Sequence, residues 1–515
     1  MAGHLFRTKS LDAILQDVES PDHRLKRALG AVDIVMLGIG AIIGSGIFAT
    51  IGTAVAGDAV RAGAGPAIVL SFILTAVACA FCGLCYAEFA SLVPISGSAY
   101  TYSYATLGEL VAWIIGWDLI IEYAVGNVAV AIAWAAYFHQ LCAGLGLQIP
   151  AWLAVDYRSA HQAAEAVMQS GQTDPALVLA HQAWLTHPTL LGIPIIFNAL
   201  AVGIVMLITW LLVIGVKESA RVNNVMVGIK LFILAFFIYS GAKYVKPEHW
   251  TPFMPNGFQG VWVGASLIFF AYIGFDAIST AAEECRKPSR DLPFGIIGSL
   301  AICTVIYIGV ALVLTGMVPW DHLGVADPLA AAFAYVGADV SAGIIAFGAV
   351  VSMSAVLLVF QYGQPRIFFS MSRDGLLPPY FANVHEKYRT PHVTTLWTGV
   401  AVAAISAVAN INEIVELTNI GTLFAFILVC AGVIILRARD PHRPRAFKTP
   451  LVPLVPILGI LSCLYLMAGL PPVTWMRFGV WLVAGMGIYF AYGFRKSKLN
   501  AAPLTPSSSA SPRQE

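Results

Sequence analysis

The stretch "GIGAIIGSGIF", Gly38–Phe48, carries no charge and lies within a long apolar run, yet four of its eleven residues are glycine. A glycine in a helix interior costs about 1 kcal/mol relative to alanine. An apolar helix with this composition is therefore expected to be interrupted. The natural position for the interruption is the run Gly44, Ser45 and Gly46.

The composition shows that the solvent for most of this chain is lipid. The 515 residues are 58% hydrophobic and 11% charged, and the mean hydropathy is +0.79, whereas a soluble domain has about 25% charged residues. The net charge of +1 and the lack of a basic tract give no reason to expect nucleic acid as a partner. The polar and charged first thirty residues do not resemble a cleavable signal peptide.

Apolar runs of about 20 residues predict the membrane spans. The third run is too long for one upright crossing, so we expect it to tilt or to project from the bilayer. The segment 327–337 is too short to span and is expected to form a surface helix over an external opening. The twelve predicted spans are 32–56, 66–90, 107–143, 191–214, 222–244, 260–284, 293–316, 341–371, 392–410, 413–436, 452–471 and 474–494.

The distribution of lysine and arginine predicts the orientation. With an even number of spans and both termini inside, 22 of these residues fall on internal segments and five on external ones. Because positive residues concentrate on the cytoplasmic side, both termini are expected to be cytoplasmic. Residues 144–190 then form a long external insertion with helix-like stretches, and the Pro/Ser-rich tail 495–515 is expected to be disordered.

Sequence patterns for metal and nucleotide chemistry are weak or missing. Cys79, Cys82 and Cys85 have a CxxCxxC spacing but lie in a predicted span without a nearby fourth ligand, so they are interpreted as small apolar groups. His161, His181 and His187 are too widely spaced to suggest a metal site. The sequence contains no GxxxxGK[ST] loop and no HExxH motif, which argues against ATP-driven transport and a membrane metalloprotease. No metal and no cofactor are expected.

A second interrupted span is predicted five spans after the first. The stretch "FFAYIGFDAIST", Phe269–Thr280, contains Gly274 and the charged Asp276 in an apolar setting. Paired breaks in the first helices of two inverted repeats are typical of transporters, where freed N–H groups receive a carboxylate and freed carbonyls receive a cation. The pair therefore predicts a site for a small zwitterion. The alternative is that these glycines only permit close helix packing.

Five ordered motifs carry a resemblance that covers roughly residues 28–495. They are "GIGAIIGSGIF", "PISGSAYTYSY" (Pro94–Tyr104), "GVKESARVNN" (Gly215–Asn224), "FFAYIGFDAISTAAEE" and "GQPRIFFSMSRDGLLP". In these motifs the chain resembles the amino acid–polyamine–organocation superfamily, and within it the bacterial relatives of the cationic amino acid transporters. The insertion at 144–190 lies outside this pattern.

The resemblance implies an all-α polytopic fold of twelve transmembrane helices, in the leucine-transporter-like arrangement of two inverted five-helix repeats plus two C-terminal helices. Helices 1 and 6 would be broken at mid-membrane. The implied segments are a cytoplasmic N-terminal segment at 1–31, repeats at 32–244 and 260–436, accessory helices at 452–494 and the tail at 495–515.

The resemblance also implies which atoms contact the substrate. The carboxylate would meet the backbone N–H groups of Gly44, Ser45 and Gly46. The amino group would meet backbone carbonyls, which belong to Ile42, Phe270, Ala271 and Ile273. These contacts read only the part that all α-amino acids share, so side-chain selectivity would come from other residues of the cavity.

Ionisable residues inside spans are costly and are candidates for function. Glu122 lies in the third span, four residues after Asp118, and Asp276 lies beside the second break. Both Glu122 and Asp276 are candidate substrate contacts. The alternative for each is a buried hydrogen-bonding or helix-end role, and Asp118 is the weaker candidate because it lies nearer the cytoplasm.

Lys230 lies about eight residues into the fifth span, about 12 Å along a helix. Its side chain could reach the cytoplasmic surface, but relatives carry a lysine where sodium-coupled relatives of the superfamily bind an ion. The resemblance therefore implies that its ammonium donates to carbonyls freed by the first break and to a hydroxyl of the eighth span, with Ser352 and Ser354 as candidates. A buried lysine can exchange its proton near neutral pH.

These observations predict a secondary active transporter that imports amino acids across the cytoplasmic membrane, and not an enzyme. Proton symport with alternating access is the favoured mechanism. The expected partners are an amino acid, a proton and the lipid bilayer. An exchanger or polyamine carrier of the same fold, and an amino acid sensor that does not transport, are the alternatives, and the oligomeric state is left open.

Overall fold

We describe a computed structural model of the chain. It describes residues 7–8, 29–58, 61–92, 98–170, 177–190, 192–214, 220–388 and 390–501. Parts of two motifs, 94–97 and 215–219, lie outside the described residues, as do most of the segment before residue 29 and the tail from residue 502.

The described chain is almost entirely helical. Two short antiparallel hairpins pair β1 (Gly57–Asp58) with β2 (Arg61–Ala62) and β3 (Thr189–Leu190) with β4 (Ile193–Pro194). The α-helices in chain order are α1 Ala31–Ile42, α2 Ile51–Ala56, α3 Ile68–Leu92, α4 Ser98–Thr106, α5 Glu109–Ile120, α6 Gly126–Gly144, α7 Tyr157–Ser170, α8 Val178–Thr186, α9 Ala199–Val213, α10 Ala220–Ala242, α11 Gly257–Ile268, α12 Pro288–Met317, α13 Pro328–Tyr335, α14 Asp339–Arg373, α15 His392–Val408, α16 Ile411–Arg439, α17 Leu454–Ala468, α18 Pro472–Ile488, α19 Phe494–Lys496 and α20 Lys498–Ala501.

Within the described residues, eight helical segments are long and apolar enough to cross a membrane, and a bent pair of helices makes a possible ninth. This confirms a polytopic helical membrane protein. The remaining three predicted spans correspond to the shorter apolar helices α9, α15 and α17, which have 15, 17 and 15 residues. The total of twelve spans therefore stays a prediction.

The fourth span differs from the sequence-based prediction in where it begins, whereas the third has about its predicted length. The fourth was expected to begin at residue 191, but the chain first forms the β3–β4 hairpin and the helix begins at Ala199. The reason is local: the side chain of Asn198 accepts a hydrogen bond from the N–H of Ala201 and caps the helix there. The third span is one segment of 36 residues in which a π-helical turn, Ile121–Val125, joins α5 to α6.

The long helices pack in two groups. In one group α12 packs against α1 and α3, and α11 also packs against α3. In the other group α14 packs against α6, and α9 packs against α6 and α15. Helix α10 contacts both α1 and α14, and it therefore connects the first broken helix to the second group.

The insertion at 144–190 contains α7 and α8, as its helix-like sequence predicted, and these pack around a small apolar cluster of their own. It is tied to the start of α16 by an ion pair of 2.6 Å between Arg158 and Glu413 and by a hydrogen bond from Asn410 to Ser159. The insertion is therefore docked on the rest of the molecule through polar contacts.

The short helix α13 occupies the segment that the sequence predicted as a surface helix. It is packed on one side, because Leu329 and Phe333 are fully buried, and it contacts the first broken helix at residues 46–50. Asp327 precedes this helix, and burial raises the pKa of its carboxyl to about 6.

Candidate functional site

The first helix is interrupted where the glycine run predicts. Helix α1 ends at Ile42, a π-helical turn begins at Gly46, and the segments on either side are bent by 42°. The first N–H groups of a helical segment have no partner within that segment, and its N-terminus carries partial positive charge. Ser45 stands at this N-terminus, and its hydroxyl is buried with no hydrogen-bond partner among the described residues.

The second interruption lies after α11. The chain continues from Ile268 as a 3₁₀ turn over Phe269–Tyr272, becomes extended at Ile273 and resumes as a 3₁₀ helix from Asp276. Between them Gly274 has a φ of 114°, and a Cβ there would lie 2.8 Å from the carbonyl oxygen of Ala41. Only glycine fits this position, because the backbone is left-handed and the first broken helix is so close.

The two interruptions meet in space. A Cβ added to Gly46 would overlap the backbone of Ala271, and one added to Gly44 would lie 3.2 Å from Cγ2 of Val356. Phe270 and Ile273, which were also predicted to contact substrate, are buried on the same segment as Ala271. The structure therefore brings together the backbone segments to which the carboxylate and ammonium contacts were assigned.

The freed carbonyls of both helices receive protein donors. The Tyr307 hydroxyl of α12 lies 3.1 Å from the carbonyl oxygen of Ile42 and 2.9 Å from that of Ala271. The side-chain amide of Asn419 donates to the carbonyls of Ser266 and Leu267 at 2.8 and 2.9 Å. Neither Tyr307 nor Asn419 was predicted from the sequence. The available signal was that each is a hydrogen-bonding side chain within an apolar span.

Lys230 reaches the end of α1 from α10. Its side chain is fully buried, and Nζ lies 2.6 Å from the carbonyl oxygen of Gly40 and 3.2 Å from that of Ile43. These are carbonyls at the C-terminal end of a helix, where the partial negative charge of the helix dipole favours a cation. Lys230 thus contacts the first break directly, as the hypothesis for its role requires.

The two candidate serines of α14 have different surroundings. The hydroxyl of Ser354 donates to the carbonyl of Val350 at 2.8 Å and accepts from Nε1 of Trp134 at 2.9 Å. Ser352 is fully buried, and its hydroxyl has no hydrogen-bond partner within the described part of the chain. Of the two, Ser352 has the hydroxyl that is free to receive a proton donor.

The acidic candidates form a buried cluster. Glu122 lies in the π-helical turn of the third span, and its carboxyl interacts electrostatically with those of Asp276 and Asp118. All three side chains are at most 1% exposed. Thr422 lies near Glu122, and Tyr86 lies near both Glu122 and Asp276. The structure therefore unites Glu122 with Asp276, although their spans are far apart in sequence.

The cysteines of the CxxCxxC spacing have thiol neighbours that the sequence did not reveal. Sγ of Cys82 lies 3.4 Å from Sγ of Cys463 in α17 and 3.9 Å from Sγ of Cys430 in α16. All of these thiols are buried between helices. They fill the interface of α3, α16 and α17 as small apolar groups.

Comparison with known proteins identifies the family of this chain. The amino acid permease family model matches residues 29–488, so the chain belongs to the amino acid permease family. This confirms the resemblance to the amino acid–polyamine–organocation superfamily that the five motifs indicated. The chain is a membrane transporter and not an enzyme.

Three relatives show the breadth of the family. The chain is 46% identical over 501 residues to the branched-chain amino acid permease BcaP of Bacillus subtilis, covering 97% of this chain and 100% of that protein. It is 45% identical over 496 residues to the methylthioribose transporter of the same organism, covering 96% and 99%. It is 33% identical over 443 residues to the vacuolar cationic amino acid transporter 4 of Arabidopsis thaliana, covering 85% and 68%.

Proposed function

We propose that this protein imports amino acids across the bacterial cytoplasmic membrane by proton symport with alternating access. The observation that carries the proposal is the meeting of two interrupted helices at Gly46 and Ala271. In the proposed site, the N–H groups at the N-terminus of one segment and the freed carbonyls of the other face the same substrate. It therefore offers both halves of a zwitterion a partner.

The proposed architecture is the leucine-transporter-like one, with inverted repeats at 32–244 and 260–436 and both termini in the cytoplasm. Two features support it. The breaks fall in the first and sixth predicted spans, as two five-helix repeats require. The helices also divide into two packed groups that α10 connects, and such groups can rock against each other around a fixed site.

In the proposed complex the substrate carboxylate binds at the N-terminus of the segment that begins at Gly46, with the Ser45 hydroxyl as an additional donor. The unpartnered hydroxyl of Ser45 supports this assignment, because a buried polar group without a partner is costly. The amino group binds the carbonyls of the first and second breaks. The proposed acceptors are the carbonyl oxygens of Ile42, Phe270, Ala271 and Ile273.

We propose neutral amino acids with apolar side chains as the main substrates. Val356 stands against Gly44 and would give the proposed substrate site an apolar wall. A relative that covers nearly the whole chain is also named a branched-chain amino acid permease. The Glu122–Asp276 pair would accept a cationic side chain only if it carried negative charge. Arginine and lysine uptake therefore tests this assignment directly.

Lys230 is proposed as the site where the proton couples to transport. When protonated, it holds the end of α1 through the carbonyls of Gly40 and Ile43. Loss of the proton would weaken these bonds and release the first broken helix. Ser352 lies one turn from Gly348, which packs against Ile233 of the helix that carries Lys230, so its hydroxyl is the proposed partner in the second group of helices.

A flux assay in proteoliposomes tests the proposal. Purified protein is reconstituted, and uptake of radiolabelled leucine is measured with and without an inward proton gradient, in sodium-containing and sodium-free buffer. We expect accumulation that the proton gradient drives and that sodium does not affect. Uptake only when the vesicles are preloaded with amino acid would instead identify an exchanger, and binding without flux would identify a sensor.

Methylthioribose is a second candidate substrate, because a relative with 45% identity is named a methylthioribose transporter. This sugar has neither a carboxylate nor an amino group, so it would not use the two charged ends of the site. A competition assay of leucine uptake distinguishes amino acids from methylthioribose as the substrate. Excess unlabelled methylthioribose should leave leucine uptake unchanged if the site reads the zwitterion, and direct uptake of labelled methylthioribose with no leucine uptake would overturn the amino acid assignment.

A further inference from the structure

Tyr307 contacts both interrupted helices at once. Its hydroxyl oxygen lies 3.1 Å from the carbonyl oxygen of Ile42, at the end of α1, and 2.9 Å from that of Ala271, in the turn after α11. The side chain is fully buried. The same two carbonyls are among the proposed acceptors for the substrate amino group.

A tyrosine hydroxyl has one proton, and a carbonyl oxygen has two lone pairs. Tyr307 therefore donates to one carbonyl at a time or shares its proton between the two. In either case both carbonyl oxygens keep the capacity for another donor. An ammonium group has three N–H donors, so it can bind these oxygens while Tyr307 remains in place.

The Tyr307 hydroxyl also reduces the electrostatic repulsion between the carbonyl oxygens of Ile42 and Ala271. Two carbonyl oxygens that converge on one point carry partial negative charges and repel each other unless a donor or a cation lies between them. At the neighbouring carbonyls of Gly40 and Ile43 the ammonium of Lys230 is the donor. At Ile42 and Ala271 the donor is the Tyr307 hydroxyl, which is neutral.

The position of this hydroxyl is fixed by packing. The Tyr307 ring lies 5.4 Å from the ring of Phe72 and 5.5 Å from that of Tyr272, measured between centroids. Phenylalanine at position 307 would keep these ring contacts and lose only the hydroxyl. The substitution therefore separates the hydrogen bond from the packing.

We propose that Tyr307 is a positioning residue for the amino-group subsite: its hydroxyl holds the carbonyl oxygens of Ile42 and Ala271 at the spacing that receives the substrate ammonium. This inference rests on the proposed function. It differs from that function in predicting that one hydroxyl affects recognition of the amine and not recognition of the carboxylate.

The test compares Tyr307→Phe with Tyr489→Phe as a control outside both interrupted helices. Tyr489 follows α18 and is fully buried, and its hydroxyl donates to the Glu109 carboxyl at the start of α5 at 2.9 Å, so its removal also costs one buried hydrogen bond. Affinities of the purified full-length proteins are measured by displacement of radiolabelled leucine. The competitors are leucine, 4-methylpentanoate, which lacks the amine, and 3-methylbutylamine, which lacks the carboxylate.

We expect Tyr307→Phe to weaken leucine and 3-methylbutylamine by about tenfold, the scale of one hydrogen bond to a charged group, and 4-methylpentanoate by less than about twofold. Tyr489→Phe should change all three by less than about twofold. The inference would be overturned if Tyr307→Phe weakened 4-methylpentanoate and 3-methylbutylamine equally. It would also be overturned if the variant bound leucine with unchanged affinity. Failure of the wild-type protein to bind any amino acid would instead overturn the proposed function.

Discussion

Replacing Gly46 with alanine perturbs the point at which the two interrupted helices touch. The added methyl carbon would lie 2.7 Å from the backbone nitrogen of Ala271 and nearer still to its Cα and Cβ. The atoms in the way belong to the backbone and to a methyl group, so no side-chain rotation can relieve the overlap. The two segments must therefore move apart.

The loss of leucine affinity expected for Gly46→Ala follows from the cost of overpacking this contact. Inserting one carbon into a well-packed interior costs about 1–3 kcal/mol. If this cost falls on the conformation that binds substrate, each 1.4 kcal/mol lowers the affinity by about tenfold. A cost of about 1–3 kcal/mol therefore lowers the affinity by about 5- to 150-fold. We expect Gly46→Ala to weaken leucine binding within this range.

The assay is equilibrium binding of radiolabelled leucine to purified protein, with a thermal melt of each variant to establish folding. Gly228→Ala is the matched control, because a Cβ on this helical glycine of α10 meets no atom within 4 Å. Gly44→Ala should be intermediate, since its Cβ would meet the Val356 side chain at 3.2 Å and that side chain can shift.

Wild-type affinity in a folded Gly46→Ala protein would refute this reasoning, because the contact between the two breaks would then be irrelevant to binding. A similar loss in Gly228→Ala would also refute it, since a general effect of alanine on helix dynamics would explain both results.

Three further predictions concern coupling, recognition and stability. Lys230→Met should still bind leucine but lose accumulation driven by a proton gradient in proteoliposomes. Lys243→Met, just after the end of α10, should behave as wild type. Gradient-driven accumulation by Lys230→Met would contradict the coupling role. Leucine methyl ester and N-acetylleucine should each displace radiolabelled leucine about ten- to a hundredfold more weakly than leucine does. Each has lost one charge-assisted contact, worth about 1.5–3 kcal/mol. Full competition by both compounds would point to another substrate class. Asp327→Asn should raise the melting temperature at neutral pH, because burial raises the pKa of this carboxyl from 3.8 to about 6 and folding then opposes its ionisation. The difference in melting temperature between variant and wild type should shrink as the pH falls from about 6 to about 4. A difference that grew on acidification would contradict a raised pKa.

The membrane class and the positions of both interruptions were predictable from the sequence. Hydropathy is a property of each segment by itself, so the long spans emerge from composition. Glycine content is equally local, and Gly44–Gly46 and Gly274 mark the points where the helices stop. The family motifs added the residues expected to contact the substrate.

Helix ends set by local capping were less predictable. The fourth span begins at Ala199 and not at residue 191, because the β3–β4 hairpin and the Asn198 cap outweigh the apolar character of the preceding residues. The insertion at 144–190 was recognisable as partly helical, but its attachment through Arg158 and Glu413 was not. An ion pair between distant segments leaves no periodic signal in the sequence.

Only the tertiary structure decided which groups satisfy the freed carbonyls. Tyr307 bridges Ile42 and Ala271, and Asn419 holds the carbonyls at the end of α11, because the packing of α12 and α16 places their side chains there. The sequence determines where backbone groups are released from a helix, since that depends on local residues. Which donor reaches them depends on the distances between helices far apart in the chain, and the fold alone sets those distances.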